Sequence, residues 1–515
     1  MNEVFSVPNG RNGSLVLLVA SALALGALPA ATSIAAPHAG TLSTTYTVQN
    51  CNGSGTGSLR EAAGLAVSGD TIDLSQLTCK TIATRSSDGG QIVLKDVSIR
   101  GPGRDVLTIN GSSGTRIFFH DGTGTLTIDG VTLSSGSKRG VDGDSDTGGG
   151  CLYSLGNVSI LHSTVRDCEY TFMNDLSNPP GSGGAIYVKN KLALDDVVVT
   201  NNRAVSIGWL GEIGGYGGGV FARSLEIANS IISGNYAGGG GGGIYSASSA
   251  DDDIAIVNST ISDNSTDGAG GGIYSYGRDV VITRSTISGN SALGGIADGG
   301  GGIYALFCTS FCPPGDPRPS GSSVSLINST VSGNYASGGT GGGVYNVGGL
   351  YIDNSTIVRN TSDKPGGGGA GVYYEFVDQS GTPTPPVVSN SIIAFNTSSD
   401  SLSVDIGSYH PGSLTGGNNL ILTGDWTRMP NAVHGCPQLY PLGNYGGPTQ
   451  THALAPNSPA IDKGATTDEP TDQRGLARVV GAAADVGAYE RQRTAPASSL
   501  RTIDASFARC RTSAR

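Results

Sequence analysis

The feature that most restricts this chain is a two-part motif recurring eight times between residues 148 and 396. Its first part is a glycine cluster closed by an apolar–aromatic pair. Examples are Gly148-Gly149-Gly150-Cys151-Leu152-Tyr153 and Gly183-Gly184-Ala185-Ile186-Tyr187, and the series continues to Phe221, Tyr245, Tyr274, Tyr304, Tyr345 and Tyr373. The second part is Asn-Ser-Thr-Ile-Ser-Gly-Asn or a variant of it. It ends in turn at Cys168, Asn202, Asn235, Asn264, Asn290, Asn334, Asn360 and Asn396. The shortest units are about 25 residues long, which is the period of a solenoid.

Each unit contains short β-branched runs that favour strands, and glycines that allow corners with positive φ. Apolar positions alternate with Ser and Thr, so one side of each run can face inward. Stacked coils place identical side chains about 4.8 Å apart. The repeated Asn can then form a hydrogen-bonded ladder along one corner. The expected fold is all-β, a single-stranded right-handed parallel β-helix, because parallel crossovers take that hand. Residues 91–135 read as two or three degenerate coils, with strands such as Ile92-Val93-Leu94 and Leu126-Thr127-Ile128. Ten to twelve coils give a rod roughly 50–60 Å long.

Composition supports this. The 515 residues include 83 Gly, but the glycines cluster without the three-residue period of collagen. Interior glycine costs a helix about 1 kcal/mol per residue, which argues against a helical protein. Only 14% of the chain is charged and its aliphatic residues are well spread, so charge-driven disorder is not expected. The net charge of −11 without a basic stripe argues against nucleic-acid binding and favours solubility.

Residues 1–36 read as a secretory signal. Arg11 precedes the apolar run Leu15–Leu28, and Ser33-Ile34-Ala35 supplies a small-x-small cleavage site. The run is shorter than a membrane span, and no later segment is long enough to cross as a helix. Export makes disulfides the expected state of the eight cysteines. Proximity pairs Cys51 with Cys79, Cys151 with Cys168, and Cys308 with Cys312. Cys436 and Cys510 are left to pair with each other or to stay free. No C-x-x-C and no H-E-x-x-H occurs, so a structural zinc or zinc hydrolase is not expected.

Three family resemblances follow from these residues. The Gly-Gly-(Ala/Gly)-Ile-Tyr cluster paired with (Ile/Val)-x-x-Asn resembles the repeat of polymorphic outer membrane proteins. It is also similar to other right-handed parallel β-helix proteins of the pectate-lyase-like class. Ser58-Leu59-Arg60-Glu61-Ala62-Ala63 with Gly69–Leu74 resembles the CSLREA element of exported bacterial β-helix proteins, with Gly57 at the position of its cysteine. Ser58 and Glu61 form a capping box, so residues 41–90 read as a helical N-terminal cap over residues 91–435. Residues 436–490 carry Leu442-Gly443-Asn444-Tyr445, Asn457-Ser458-Pro459-Ala460, Asp472-Gln473-Arg474-Gly475 and Asp485-Val486-Gly487-Ala488-Tyr489. That order resembles the choice-of-anchor Q domain, which implies surface sorting. Residues 491–515 read as an unstructured tail with no recognisable sorting signal. His452, Asp462, Asp472 and Arg474 read as a network holding a terminal cap rather than as a catalytic set.

Candidate chemistry lies on the corner between the Asn motif and the next glycine cluster, which is enlarged at 136–148, 169–183 and 203–217. The candidate ligand-binding residues are Asp142, Asp144, Asp146, Glu169, Asp175, Trp209, Glu212 and Tyr216, with Tyr170 and Phe172 beside them. Carboxylates beside flat aromatics suit a sugar, supplying hydroxyl acceptors and stacking faces. Asp142, Asp144 and Asp146 have the spacing of a calcium loop's first ligands, although the twelfth position is Tyr153 rather than Glu. Glu169 and Glu212 are a carboxylate pair of the kind a glycosidase needs. Lys138 and Arg139 are the basic residues a β-elimination would use there. Solvated loop remains the alternative to all three. Two functions are therefore carried forward for an extracellular or cell-surface protein. One is non-enzymatic adhesion or envelope interaction with a carbohydrate or cell-surface ligand. The other is a polysaccharide lyase or glycoside hydrolase working at the 142–216 corner.

Overall fold

The computed structural model describes residues 43–141, 146–173, 182–208, 211–212, 214–247, 253–277, 279–294, 299–306, 323–364, 369–375, 385–399, 405–408, 414–423 and 429–492. The leader reading and the Cys308–Cys312 pairing lie outside these residues, as do Asp142, Asp144, Asp175, Trp209 and Cys510.

The unit ending at Asn264 shows why the repeat coils. Gly241 takes a φ of 63°, and a Cβ on Gly242 would collide with the carbonyl of Gly271 in the next coil. Strands Ile244–Ala247 and Ile254–Val257 follow, with Ile244, Ile254 and Ile256 fully buried. Asn258 then turns the chain at φ 49°, a left-handed conformation that Asn tolerates better than most residues. Strand Thr260–Ser262 buries Ile261, and a second left-handed residue, Asp263, leads through Asn264 into strand Ser265–Thr266.

Repetition of this path builds three parallel sheets. Sheet A stacks the two strands on either side of the Ile244–Val257 segment, and sheet C stacks the Ser265–Thr266 positions. Sheet B is a run of twelve strands from Thr81–Ala83 to Leu420–Ile421. Among the described residues all strand pairings are parallel except Arg203–Gly208 with Gly211–Glu212. The register is strict: Ile244 pairs Ile273, which pairs Ile303, and Val344 and Val372 continue the row. The chain is a right-handed parallel β-helix.

Three side-chain rows hold the coils. In the first, each ladder Asn donates from Nδ2 to the Oδ1 of the next, at 2.9 Å at every step from Asn202 to Asn396. Cys168 begins the row: its amide donates to Asn202 Oδ1, while its sulfur is bonded to Cys151. Asp405 ends it, accepting from Asn396 Nδ2 at 2.8 Å. Burial pushes the Asp405 carboxyl up to about 6, against the hydrogen bonds from Asn396 and Thr423. The second row is made of serines, as where Ser230 N donates to Ser259 Oγ at 3.0 Å and Ser259 N to Ser285 Oγ at 3.1 Å. The third is a column of rings from Phe119 to Tyr373, with neighbouring centroids 4.6–5.6 Å apart. Each such contact contributes about 0.5–1.5 kcal/mol beyond burial.

At the N-terminal end, helix Leu59–Leu65 is capped by Ser58, whose Oγ accepts from Glu61 N at 3.2 Å. Glu61 reaches back to the Gly57 amide, one residue before the cap. Leu59, Ala62 and Ala63 are buried, and the Cys51–Cys79 disulfide closes the surrounding loop. Residues 429–492 are held mainly by turns and isolated bridges. They form a strap lying on the outer face of sheet B. Thr451 Oγ1 meets Thr330 Oγ1 at 2.9 Å, His452 Nε2 meets Ser332 Oγ at 2.9 Å, and Ala488 N donates to Thr356 Oγ1 at 3.0 Å.

Candidate functional site

Asp146 lies just before the glycine turn of the first full repeat. Its Oδ2 is 2.6 Å from Arg116 Nη1 and its Oδ1 is 3.3 Å from Lys138 Nζ. The Arg116 side chain is completely buried. Its remaining donors go to Gly149 O at 2.8 Å, Gly148 O at 2.8 Å and Gln91 Oε1 at 3.1 Å. Burial alone would push the Asp146 carboxyl up, but the hydrogen bond and charge of Arg116, with Lys138, hold it below the usual carboxylate range. Asp146 is thus the counter-ion of a guanidinium that clamps the turn.

Glu169 opens strand Glu169–Met173, in register with Ser137 and Arg203. It accepts from Thr171 Oγ1 at 3.0 Å and lies 3.8 Å from Arg203 Nε. The Arg203 guanidinium in turn lies 4.7 Å from the centre of the Tyr236 ring. Glu212 sits on the short antiparallel return opposite Ile207, and Ile207 is in register with Met173. Four residues along the strand and two strands across separate the Glu169 and Glu212 backbones by about 16 Å. Tyr216 bridges between Ser182 and Gly240, with its ring 4.6 Å from Tyr245 and edge-on to Tyr274. Tyr170 and Phe172 are buried. The described candidates are therefore distributed over the corner rather than gathered at one point. Among the described residues, no group of three or more His, Cys, Asp or Glu is placed to hold a metal ion.

Two polar constellations escape sequence reasoning. In the first, His120 Nδ1 is 2.7 Å from Ser154 Oγ and His120 Nε2 is 2.9 Å from Asp96 Oδ1. The residue types are those of a hydrolytic triad. His120 and Ser154 are fully buried, however, and Ser154 Oγ also accepts from Gly156 N, so no substrate reaches the hydroxyl. Burial would raise the Asp96 carboxyl, yet hydrogen bonds from His120, Ser68 and Gly124 hold it low. The other is Arg116 itself. It stands in the column that later coils fill with Gly150 and Gly184, and an arginine in a glycine column was the available signal.

The strap carries a cavity of about 430 Å³ lined by Asp462, Asp485, Glu490 and Arg491 among others. Its carboxylates accept backbone amides. Asp462 takes Ala482 N at 2.7 Å, Asp485 takes Asp462 N at 2.8 Å, and Glu490 takes Asp485 N at 2.7 Å. Burial pushes Glu490 up to about 7, helped by the Asp485 charge and opposed by its amide donors and Arg478. Nearby, Asp472 Oδ2 and Arg474 Nη2 form a buried pair at 2.6 Å.

Comparison with known proteins places these features. Residues 258–276 match the Chlamydia polymorphic membrane protein (Chlamydia_PMP) repeat. That segment holds one ladder Asn, Asn264, and one ring of the column, Tyr274. No curated protein sequence matches the chain. Among solved structures, the chain is similar to the crystal structure of pectate lyase Pel9A, with 14% identity and a TM-score of 0.35 over 88% of this chain and 97% of that one. It is similar also to the PL6 family alginate lyase AlyGC, with 13% identity and a TM-score of 0.30 over 90% of this chain and 58% of that one. Two of the expected disulfides, Cys51–Cys79 and Cys151–Cys168, are formed, and Cys436 is also disulfide-bonded. No helix among the described residues is long and apolar enough to cross a membrane.

Proposed function

We propose that this is an exported, non-catalytic β-helix protein that acts at or outside the cell surface in adhesion or envelope interaction. The observation that carries the reading is how the corner's described acids are used. Asp146 neutralises Arg116 and Lys138, and Glu169 is held by Thr171 and lies near Arg203, so these carboxylates serve the coil. A rigid rod with its polar residues committed to ladders suits presentation of a long side surface better than turnover. The polymorphic membrane protein repeat at 258–276 supports a surface setting. We read residues 1–36 as a cleaved leader, residues 41–90 as the CSLREA-like cap and residues 436–490 as the choice-of-anchor Q module.

Protease shaving and surface biotinylation of cells expressing the full chain test the reading. The expected result is exposure at the surface or release to the medium, with retention on envelope fractions. Incubation with a polysaccharide panel, with and without calcium, is the companion assay. Release of reducing ends or unsaturated products that is lost on Glu212→Gln would replace adhesion with a carbohydrate-active enzyme at the corner.

A further inference from the structure

One ring stands outside the periodic columns. The corner row that leads into the glycine turns runs through Gly148, Ser182, Tyr216, Gly240 and Ala269 in successive coils, paired by parallel bridges. Tyr216 is the one large residue among these five. Phe221 is the column ring of its own coil, and Tyr245, in register with Phe221, lies one coil on. The Tyr216 ring leans across to Tyr245, with centroids 4.6 Å apart and planes at 39°. It also stands edge-on to Tyr274, at 6.5 Å and 67°. Gly240 leaves room for this, because a Cβ there would lie 3.1 Å from Tyr274 Cδ2 and 3.4 Å from Tyr216 Cδ1.

The column changes where Tyr216 meets it. From Phe119 through Tyr153 and Tyr187 to Phe221, neighbouring rings are stacked with planes at 2°, 4° and 6°. Beyond Phe221 the planes open, to 33° between Tyr245 and Tyr274 and to 46° between Tyr274 and Tyr304. A flat stack holds two rings face to face. Tilt turns the edge of one ring toward its neighbour, and the edges carry the carbons ortho to the hydroxyls. Burial pushes the Tyr245 hydroxyl above its ordinary range, with Tyr274 and Tyr216 adding to the shift, so it stays a neutral phenol.

We propose that Tyr216 and Tyr245 form an oxidative cross-linking site, at which a peroxidase-type oxidant joins them as dityrosine. Each ring gives up one electron and each phenol one proton. The two phenoxyl radicals couple through a new carbon–carbon bond between ortho positions, and the hydrogens on those two carbons move to the oxygens to restore two phenols. Hydrogen peroxide, acting through a haem peroxidase, takes up the two electrons and two protons and leaves as two waters. Electrons leave through Tyr216, which is partly exposed at the corner. Phe221 lacks the hydroxyl this coupling needs, and it separates the pair from Tyr187. The product bonds one coil covalently to the next.

Treatment of the purified full chain with hydrogen peroxide and a haem peroxidase tests the site. Dityrosine fluorescence is expected in the monomer. Digestion should yield one cross-linked peptide pair holding Tyr216 and Tyr245, lighter than the two separate peptides by two hydrogen atoms. Tyr216→Phe and Tyr245→Phe keep the rings in place, and each is expected to lose the monomer's signal at an unchanged melting temperature. Tyr351→Phe, at an exposed position on strand Gly349–Asp353, is expected to keep it. Retention of the signal by either variant of the pair, a cross-link that maps to other tyrosines, or dityrosine confined to dimers overturns the site. Absence of dityrosine from the treated wild type overturns it too.

Discussion

The coils from 182 to 399 and the strap at 429–492 both bury polar groups, but they satisfy them in opposite ways. In the coils each ladder Asn from Asn202 to Asn360 meets an identical Asn one turn away, and these interactions are neutral amide hydrogen bonds. In the strap the buried polar groups include five charged side chains that no repeat supplies: Asp472, Arg474, Arg478, Asp485 and Glu490. Their partners are set by the folded path, as when Arg478 reaches Asn328 in the coils and Arg474 reaches Tyr445 O. A periodic network can be extended by adding coils, whereas an aperiodic one fails as a unit. The coils should therefore tolerate pH change, and the strap should carry most of the chain's response to it.

The largest effect is expected from Asp472→Ala. It leaves the Arg474 guanidinium buried without its carboxylate, also removes the acceptor of Glu490 N, and should cost about 3–5 kcal/mol. Denaturant unfolding would show the strap separating before the coils, and simultaneous loss of both would erase the contrast drawn above. Next is Asn290→Ala in mid-ladder. Asn264 N and Nδ2 both lose their acceptor, an expected loss of about 2–4 kcal/mol in the same assay. A cost under about 1 kcal/mol would mean that water replaces the rung. Removing the Cys151–Cys168 disulfide, with a separation of 17 residues, should cost about 3 kcal/mol and act on the first repeat.

The smallest effect is a pH dependence. Glu490 and Asp405 have folded values raised to about 7 and about 6, above their ordinary ranges. A raised carboxylate binds its proton more tightly when folded, so its contribution to stability is complete below the ordinary value and is lost as pH rises through the raised one. Melting temperature should therefore fall between about pH 4.5 and 7 on account of these groups. Glu490→Gln should remove the upper part of that slope while leaving the Asp405 part. A profile unchanged by the substitution would assign the slope elsewhere.

Periodicity made the coils legible. The glycine–tyrosine clusters fixed the coil period, the asparagine column named the ladder, and near neighbours in sequence named two disulfides. Arg116, His120 and the strap's docking were not legible, because each depends on partners distant in sequence and absent from the repeat. Arg104 and Asp196 are 92 residues apart, and Gln473 and Ser285 are 188 apart. The candidate corner was visible as a set of long loops, but the spacing of its acids was not, since loop length says nothing of loop direction. By itself the sequence determined a parallel β-helix with its Asn ladder, because identical residues one period apart must stack. Only the tertiary structure decided which outer face the strap would cover and which rungs it would leave open. That choice depends on buried ion pairs and hydroxyl contacts that come together only once the coils have formed.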